Sequence, residues 1–237
     1  MGKSDESIND EAYQALHEEE CPAGDDRCPH LPRVKQLEEA IQQLSALVRT
    51  DELTGLYNFR YFNQAMGLEM ERTHRSGKPC CLIMMDLDFF KKINDIHGHE
   101  VGNTVLSYTA SLIRKTIRRL DIACRYGGEE FVLILPDTTL NHAVVFANRL
   151  RLIIGNSPII ANQQEVKVTA SFGVGLYSNN PAFKLSVKEF TEKVDGFLYQ
   201  AKQEGRNRVC HEAIEEAVAG VSSEERDLLL GGFLDTE

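Results

Sequence analysis

Apolar positions in this chain switch repeatedly between two periods. Val34, Leu37, Ile41, Leu44 and Val48 recur at intervals of three and four. That a/d seam of about two heptads predicts a helical, coiled-coil-like dimer stalk over 31–50. An amphipathic helix packed on its own domain carries the same signature, and so short a seam is not stable as an isolated coiled coil. Helical spacing returns over 59–74, 102–118 (Val105, Tyr108, Leu112, Ile117), 140–154 and 188–203. Between these lie strand signals. The continuous apolar run 80–86 predicts a buried central strand. Runs 122–126 and 131–135 flank Gly127-Gly128, and a glycine pair reads as a tight hairpin turn because glycine takes positive φ without steric cost. The near-alternating stretch 166–177 predicts one strand and 207–210 a short last one, while 212–218 suits a further short helix. Helices and strands alternating around one antiparallel hairpin predict an α/β (α+β) fold, a central mostly antiparallel sheet flanked by helices.

Charge divides the chain differently. The net charge is −10 over 237 residues. Residues 1–30 carry nine acidic groups against two basic, and 212–237 carry eight against one. The segment 31–211 is therefore slightly basic, with 23 basic residues against 19 acidic. A mild positive balance without a dense basic patch suits a small polyanionic ligand and argues against a nucleic-acid surface. No apolar run approaches the ~20 residues of a membrane span, and the polar start Met1-Gly2-Lys3-Ser4-Asp5-Glu6 is no secretory signal; the expectation is a cytoplasmic protein. Cys80 and Cys81 lie inside an apolar run and read as small core residues. His17, Cys21, Cys28 and His30 cluster in the acidic N-terminal segment, where a zinc site and a solvated polar stretch are both open readings; the spacing matches no familiar ribbon or finger.

The candidate chemistry gathers around Arg125-Tyr126-Gly127-Gly128-Glu129-Glu130-Phe131. Glycines let a backbone approach phosphates, and adjacent carboxylates hold a hard cation such as Mg²⁺. The run 80–86 ends on Asp86, against expectation for a core position, and strand ends are where such sheets bind ligands. Asp86 and Glu129 are thus expected to face one another from neighbouring strands, while Asp88 is expected to cap the next helix. Phe89-Phe90-Lys91-Lys92 offers backbone N–H groups and a cation for phosphate. Asn94 and Asn103 offer amides for a base edge. Lys202 and Arg206 place two cations around Gly205, which stops a helix.

Together these segments resemble the GGDEF family of diguanylate cyclases. The resemblance covers 51–211 and rests on Asp51-Glu52-Leu53-Thr54-Gly55-Leu56-Tyr57-Asn58, on 86–102, on Gly127-Gly128-Glu129-Glu130-Phe131 and on Lys202 to Asn207. It implies a nucleotidyl-cyclase or polymerase-palm-like fold that joins two GTP into cyclic di-GMP with release of two pyrophosphates. Carried over by position, Asp86, the Leu87 carbonyl and Glu129 bind two Mg²⁺ ions per site, which Mn²⁺ can replace, with Glu130 beside them. Phe89, Phe90, Lys91, Gly128, Lys202 and Arg206 take the phosphates, and Asn94 and Asn103 read guanine. Each domain holds one GTP, so a homodimer is implied. Arg118-Arg119-Leu120-Asp121 fits the family's RxxD inhibitory motif, with Arg149 as a second product-binding arginine, implying feedback by cyclic di-GMP.

Two positions depart from the family pattern. Asn103 stands where aspartate is usual, which puts guanine selectivity in question, and Phe59 stands where arginine is common. The expected organisation is an acidic segment at 1–30, the stalk at 31–50, the catalytic domain at 51–211 and an acidic tail at 212–237. With no sensor domain before the stalk, the expected input is a regulatory protein binding the N-terminal helical region. Three rival readings stand beside it: a nucleotide receptor without catalysis, disfavoured because Asp86, Glu129, Lys202 and Arg206 are all retained; another two-metal nucleotidyl cyclase or polymerase-like enzyme, disfavoured by Asn94, the RxxD motif and the Lys202–Arg206 spacing; and a scaffold whose stalk matters more than its chemistry.

Overall fold

The computed structural model describes residues 49–161, 164–179 and 185–213, together with 33, 36 and 37, which are helical. The remainder of the expected stalk, the His17/Cys21/Cys28/His30 cluster and residues 214–218 of the expected helix lie outside the described residues; Glu212 and Ala213, where that helix is expected to begin, are not helical.

Among the described residues from 49 onward, five helices and seven strands follow in the order α1 (Phe59–Ser76), β1 (Cys80–Leu87), α2 (Phe90–His97), α3 (His99–Thr116), β2 (Ile122–Gly127), β3 (Glu130–Pro136), α4 (Leu140–Asn156), β4 (Ile159–Ala161), β5 (Gln164–Val166), β6 (Ala170–Tyr177), α5 (Val187–Gln203) and β7 (Val209–His211). The main sheet has the order β2-β3-β1-β6-β7, and β4 and β5 pair separately. Only β6 and β7 run parallel; the other pairings in the sheet are antiparallel. Strand β1 lies in the middle and all eight of its residues are buried, as its unbroken apolar run predicts.

Each face of the sheet buries its own core. Cys81, Ile83, Met85 and Leu87 pack with α2, α3 and α4. Cys80, Leu82 and Met84 pack with Phe62, Met66 and Met70 of α1 and with Phe190, Val194 and Leu198 of α5. The four described cysteines, Cys80, Cys81, Cys124 and Cys210, are free and buried. Helix ends follow local chemistry. The Asn58 side chain accepts from the Tyr61 N–H at the start of α1, and left-handed Gly77 closes it. Ser186 and Glu189 form a reciprocal capping box on α5.

Three expectations need correction. The stretch 166–177 is two strands, because Val166 closes the β4–β5 pair before β6 begins at Ala170. The helix expected at 102–118 runs from His99 to Thr116, preceded by the eight-residue α2, and Gly98 (φ 85°) turns the chain between them. The two-residue loop of the β2–β3 hairpin is Gly128–Glu129, since Gly127 already pairs with Glu130. A bulge between Arg125 and Gly127 shifts the register, and only Gly128 of the glycine pair takes a positive φ, 42°. Among the described residues no helix is long and apolar enough to cross a membrane.

Candidate active site

Strand parity decides which side chains reach the site. Asp86 continues the series Cys80, Leu82, Met84, so it emerges on the α5 face at the end of β1. There the Lys202 ammonium, in the last turn of α5, lies 2.8 Å from its Oδ2. The strand residue opposite Asp86 is Glu130 of β3 and not Glu129, contrary to expectation, because Glu129 lies in the turn; Glu130 shares the face of Val132 and Ile134. Helix α5 approaches this closely because β6 presents glycines to it. A Cβ at Gly173 would stand 2.4 Å from the Val194 carbonyl oxygen and the Leu198 nitrogen, and one at Gly175 2.5 Å from a Val194 methyl.

The register shift leaves Glu129 at the tip of the turn and Glu130 in the strand. A Cβ built on Gly128 meets nothing within 4 Å, so the backbone there faces open space. The turn is held from behind. Arg125 donates to the Gly128 carbonyl from Nε (3.0 Å) and Nη2 (2.8 Å) and to Asp51 from Nη1 (3.2 and 3.3 Å). Asp51 also accepts from the Thr54 N–H and hydroxyl. Tyr57 exchanges backbone hydrogen bonds with Ala123 and Arg125, fixing that segment along the outer edge of β2. The Leu87 N–H reaches the Glu129 carbonyl at 3.4 Å.

The carboxylates repel one another. Burial pushes the Asp86 carboxyl up; Lys202 works against this, and Glu129 and Asp88 add to it. Burial likewise raises Glu130, reinforced by Asp86, Asp195 and Glu129 and opposed by Lys202. Negative charge in excess of the one ammonium is what a hard cation relieves. Side chains alone do not complete a metal cage: among the described residues no group of three or more His, Cys, Asp or Glu could hold an ion.

A second group of residues gathers just beyond β1, around Phe89. Phe89 lies between β1 and α2 in the left-handed region (φ 56°) with its ring half exposed, and Phe90 is buried. The Arg206 guanidinium lies 4.5 Å from the Phe89 ring centroid and the Lys92 ammonium 4.7 Å. Lys91 is exposed on α2. Asn94 is half-buried, and its amide occupies the space a side chain at Gly102 would need: a Cβ there would stand 1.9 Å from Asn94 Oδ1. Asn103, the next residue, is exposed. Asp88 does not cap α2, contrary to expectation; that helix has no side-chain cap, and the Asp88 oxygens are engaged elsewhere, by Thr169, Ser171 and the Asn207 N–H.

The residues expected to bind product lie on separate elements. Arg118 and Asp121 close a small loop after α3, the Arg118 N–H donating to Asp121 Oδ2 at 2.8 Å. Arg149 is exposed on α4, over the Phe146 ring. No described contact joins them. Sequence reasoning passed over Arg125 and Gly102. Arg125 adjoins the glycine signature, which was its one available signal; Gly102 had none.

The family model for the GGDEF domain of diguanylate cyclases matches residues 48–208. The response regulator PleD of Caulobacter vibrioides is 40% identical over 169 residues, 70% of this chain but 37% of that protein, so the chain spans little more than a third of its relative. Two solved structures are similar at a TM-score of 0.66. One is the coiled coil and GGDEF domain of DgcB from Caulobacter crescentus in complex with c-di-GMP, 25% identical, covering 86% of this chain and 99% of that one. The other is the diguanylate cyclase SiaD in complex with its activator SiaC from Pseudomonas aeruginosa, 30% identical, covering 87% of this chain and 79% of that one.

Proposed function

This chain belongs to the GGDEF family of diguanylate cyclases, and on that premise we propose that it condenses two GTP into cyclic di-GMP, one nucleotide held by each of two facing domains. The observation that carries this reading is the junction of Asp86, the Gly128–Glu129 turn and Lys202 at one sheet end. In each half-reaction the 3′-oxygen of one GTP forms a bond to the α-phosphorus of the other, the bond to pyrophosphate breaks and the hydroxyl proton is lost.

Asp86, the Leu87 carbonyl and Glu129 would hold two Mg²⁺ ions (or Mn²⁺), which when bound acidify the attacking hydroxyl and neutralise the triphosphate. Glu130 adds charge beside these donors. Gly128 admits the phosphates against bare backbone. The Phe89 and Phe90 N–H groups, with Lys91, Lys202 and Arg206, bind their oxygens. Asn94 and Asn103 hydrogen-bond the guanine edge. An amide at 103 offers one acceptor and one donor where a carboxylate offers acceptors only, so guanine is held less selectively. Two domains face each other because neither alone supplies both substrates, and a stalk over 31–50 would raise their local concentration.

Arg118 and Asp121, with Arg149, would take the product in feedback inhibition; arginine both forks onto phosphate and stacks on guanine. Similarity to DgcB, solved with c-di-GMP, supports this. Similarity to SiaD, solved with its activator, supports input from a regulatory protein at the N-terminal region. On this reading the acidic segment 1–30 and the stalk receive the signal, 51–211 performs catalysis, and the protein works in the cytoplasm, where GTP is available.

Pyrophosphate release from GTP tests the core assignment. Glu129→Ala is expected to abolish turnover and the Mg²⁺-dependent rise in melting temperature while the apo protein stays folded. Turnover at the wild-type rate would remove Glu129 from the site. Arg118→Ala is expected to relieve product inhibition with the initial rate unchanged; inhibition as in the wild type would discard the product site. Deletion of residues 1–30 that left activity and every bound partner unaltered would discard the N-terminal input.

A further inference from the structure

Asp88 is the buried carboxylate that the reading above leaves without a role. It lies one residue beyond β1 and is 5% exposed. Its Oδ1 accepts from the Ser171 hydroxyl at 2.7 Å. Its Oδ2 accepts from the Thr169 hydroxyl at 2.7 Å and from the Asn207 backbone N–H at 3.0 Å. Its own N–H donates to the Thr169 carbonyl at 2.8 Å. Ser171 lies at the start of β6 and Thr169 just before it, whereas Asn207 belongs to the loop after α5. One carboxylate therefore ties that loop to the sheet.

The loop needs such a tie. Gly205 (φ 113°), Arg206 (φ 62°) and Asn207 (φ 46°) are three consecutive residues in the left-handed region. Two of them carry side chains, and such a conformation persists only where the surroundings impose it. Other restraints are the Arg206 N–H on the Ala201 carbonyl at 3.0 Å, Arg208 Nε on the Arg206 carbonyl at 3.4 Å, and Arg151 Nη1 on the Asn207 carbonyl and Oδ1 at 3.1 and 3.0 Å. Those to Arg151 also involve a charged partner but are exposed to solvent, whereas the bond to the Asp88 carboxylate is part-buried and so less screened. Downstream of it the Arg206 guanidinium reaches the ring of Phe89, the residue next to Asp88.

We propose that Asp88 is a positioning residue for the phosphate clamp. By holding the Asn207 N–H it fixes the left-handed turn that presents Arg206 beside Phe89, and it touches no substrate itself. The proposal rests on the assignment of Arg206 to GTP phosphate, so its test separates the two. Steady-state GTP kinetics and melting temperatures are measured on the full chain for the wild type, Asp88→Asn, Asp88→Ala, Arg206→Ala and each Asp88 variant combined with Arg206→Ala. Asp88→Asn keeps the buried shape but removes the charge that strengthens the bond to Asn207, so it supplies the readout where Asp88→Ala fails to fold.

Loss of a charged hydrogen-bonding clamp is expected to raise the KM for GTP roughly tenfold or more in Arg206→Ala. The Asp88 variants are expected to raise KM several-fold, more than they lower kcat. The combined variants should be no worse than Arg206→Ala alone, because a misplaced loop then has no clamp to misplace. An unchanged KM in Arg206→Ala would overturn the clamp and the proposal with it. A weakened Arg206→Ala alongside Asp88 variants of wild-type KM, or effects that multiply in full, would leave the clamp standing and reduce Asp88 to a stabilising contact.

Discussion

A methyl group on Gly102 would stand 1.9 Å from Asn94 Oδ1, 3.0 Å from its Cγ and 3.2 Å from the Phe90 ring. The amide is free to turn away, so Gly102→Ala should displace Asn94 more than it harms the fold. If Asn94 reads guanine, kcat/KM for GTP falls roughly tenfold, the value of one or two hydrogen bonds, while that for ATP changes little. Equal losses for both nucleotides would show a general packing defect. Asp86 and Glu129 were legible in the sequence because a carboxylate after an unbroken apolar run, and another beside two glycines, contradict a purely structural use of those positions. Asp88, Arg125 and Gly102 were not legible. Asp88 has the local signature of a helix cap, and the partners that overrule it are 81, 83 and 119 positions away in the chain. Arg125 owes its importance to Asp51, a residue 74 positions away. For Gly102 the signal is a missing side chain, and only the fold shows what fills its place.

At the scale of elements, the site depends on how α5 lies on β6. The atoms facing Gly173 are helix backbone, which cannot rotate aside. Gly173→Ala is therefore expected to cost about 1–3 kcal/mol or more by overpacking. It should also cut turnover by drawing Lys202 away from Asp86, with thermal unfolding and GTP turnover as the measurements. The segment carrying Asp51 and Thr54 makes a second, pH-dependent prediction. Burial pushes the Asp51 carboxyl up, but Thr54 and the Arg125 guanidinium outweigh it and hold the pKa below the ordinary range. A depressed folded pKa contributes stability that is complete above the unfolded value of about 3.9 and is lost as pH falls through the lower folded one. The melting temperature of the wild type should therefore exceed that of Asp51→Asn by a constant margin above about pH 5, and the margin should close as the solution is acidified below pH 4. A margin independent of pH would mean that the charge on Asp51 does not stabilise the fold. Helices, the central strand and the hairpin were legible from periodicity. The eight-residue α2 escaped because two turns give too little period to read, and the hairpin loop was misplaced by one residue because a bulge leaves no mark in composition.

The whole molecule places its acidity at the two ends and leaves a slightly basic middle segment, an arrangement that suits an anionic nucleotide. Because neither active site holds both substrates, the rate per chain should rise with protein concentration until dimers saturate. A rate per chain that is the same at every dilution, with monomers by light scattering, would contradict the two-domain mechanism. The central claim is tested most directly by identifying what the purified chain makes from GTP and Mg²⁺, alone and with ATP added, by mass spectrometry. The account predicts cyclic di-GMP and pyrophosphate from GTP, lost in Glu129→Ala, with mixed GMP–AMP product under ATP measuring how far Asn103 relaxes selection. Folded protein that binds GTP and forms no phosphodiester bond, even with a stable coiled coil in place of the stalk holding two domains together without an activator, would contradict it and make the chain a nucleotide receptor.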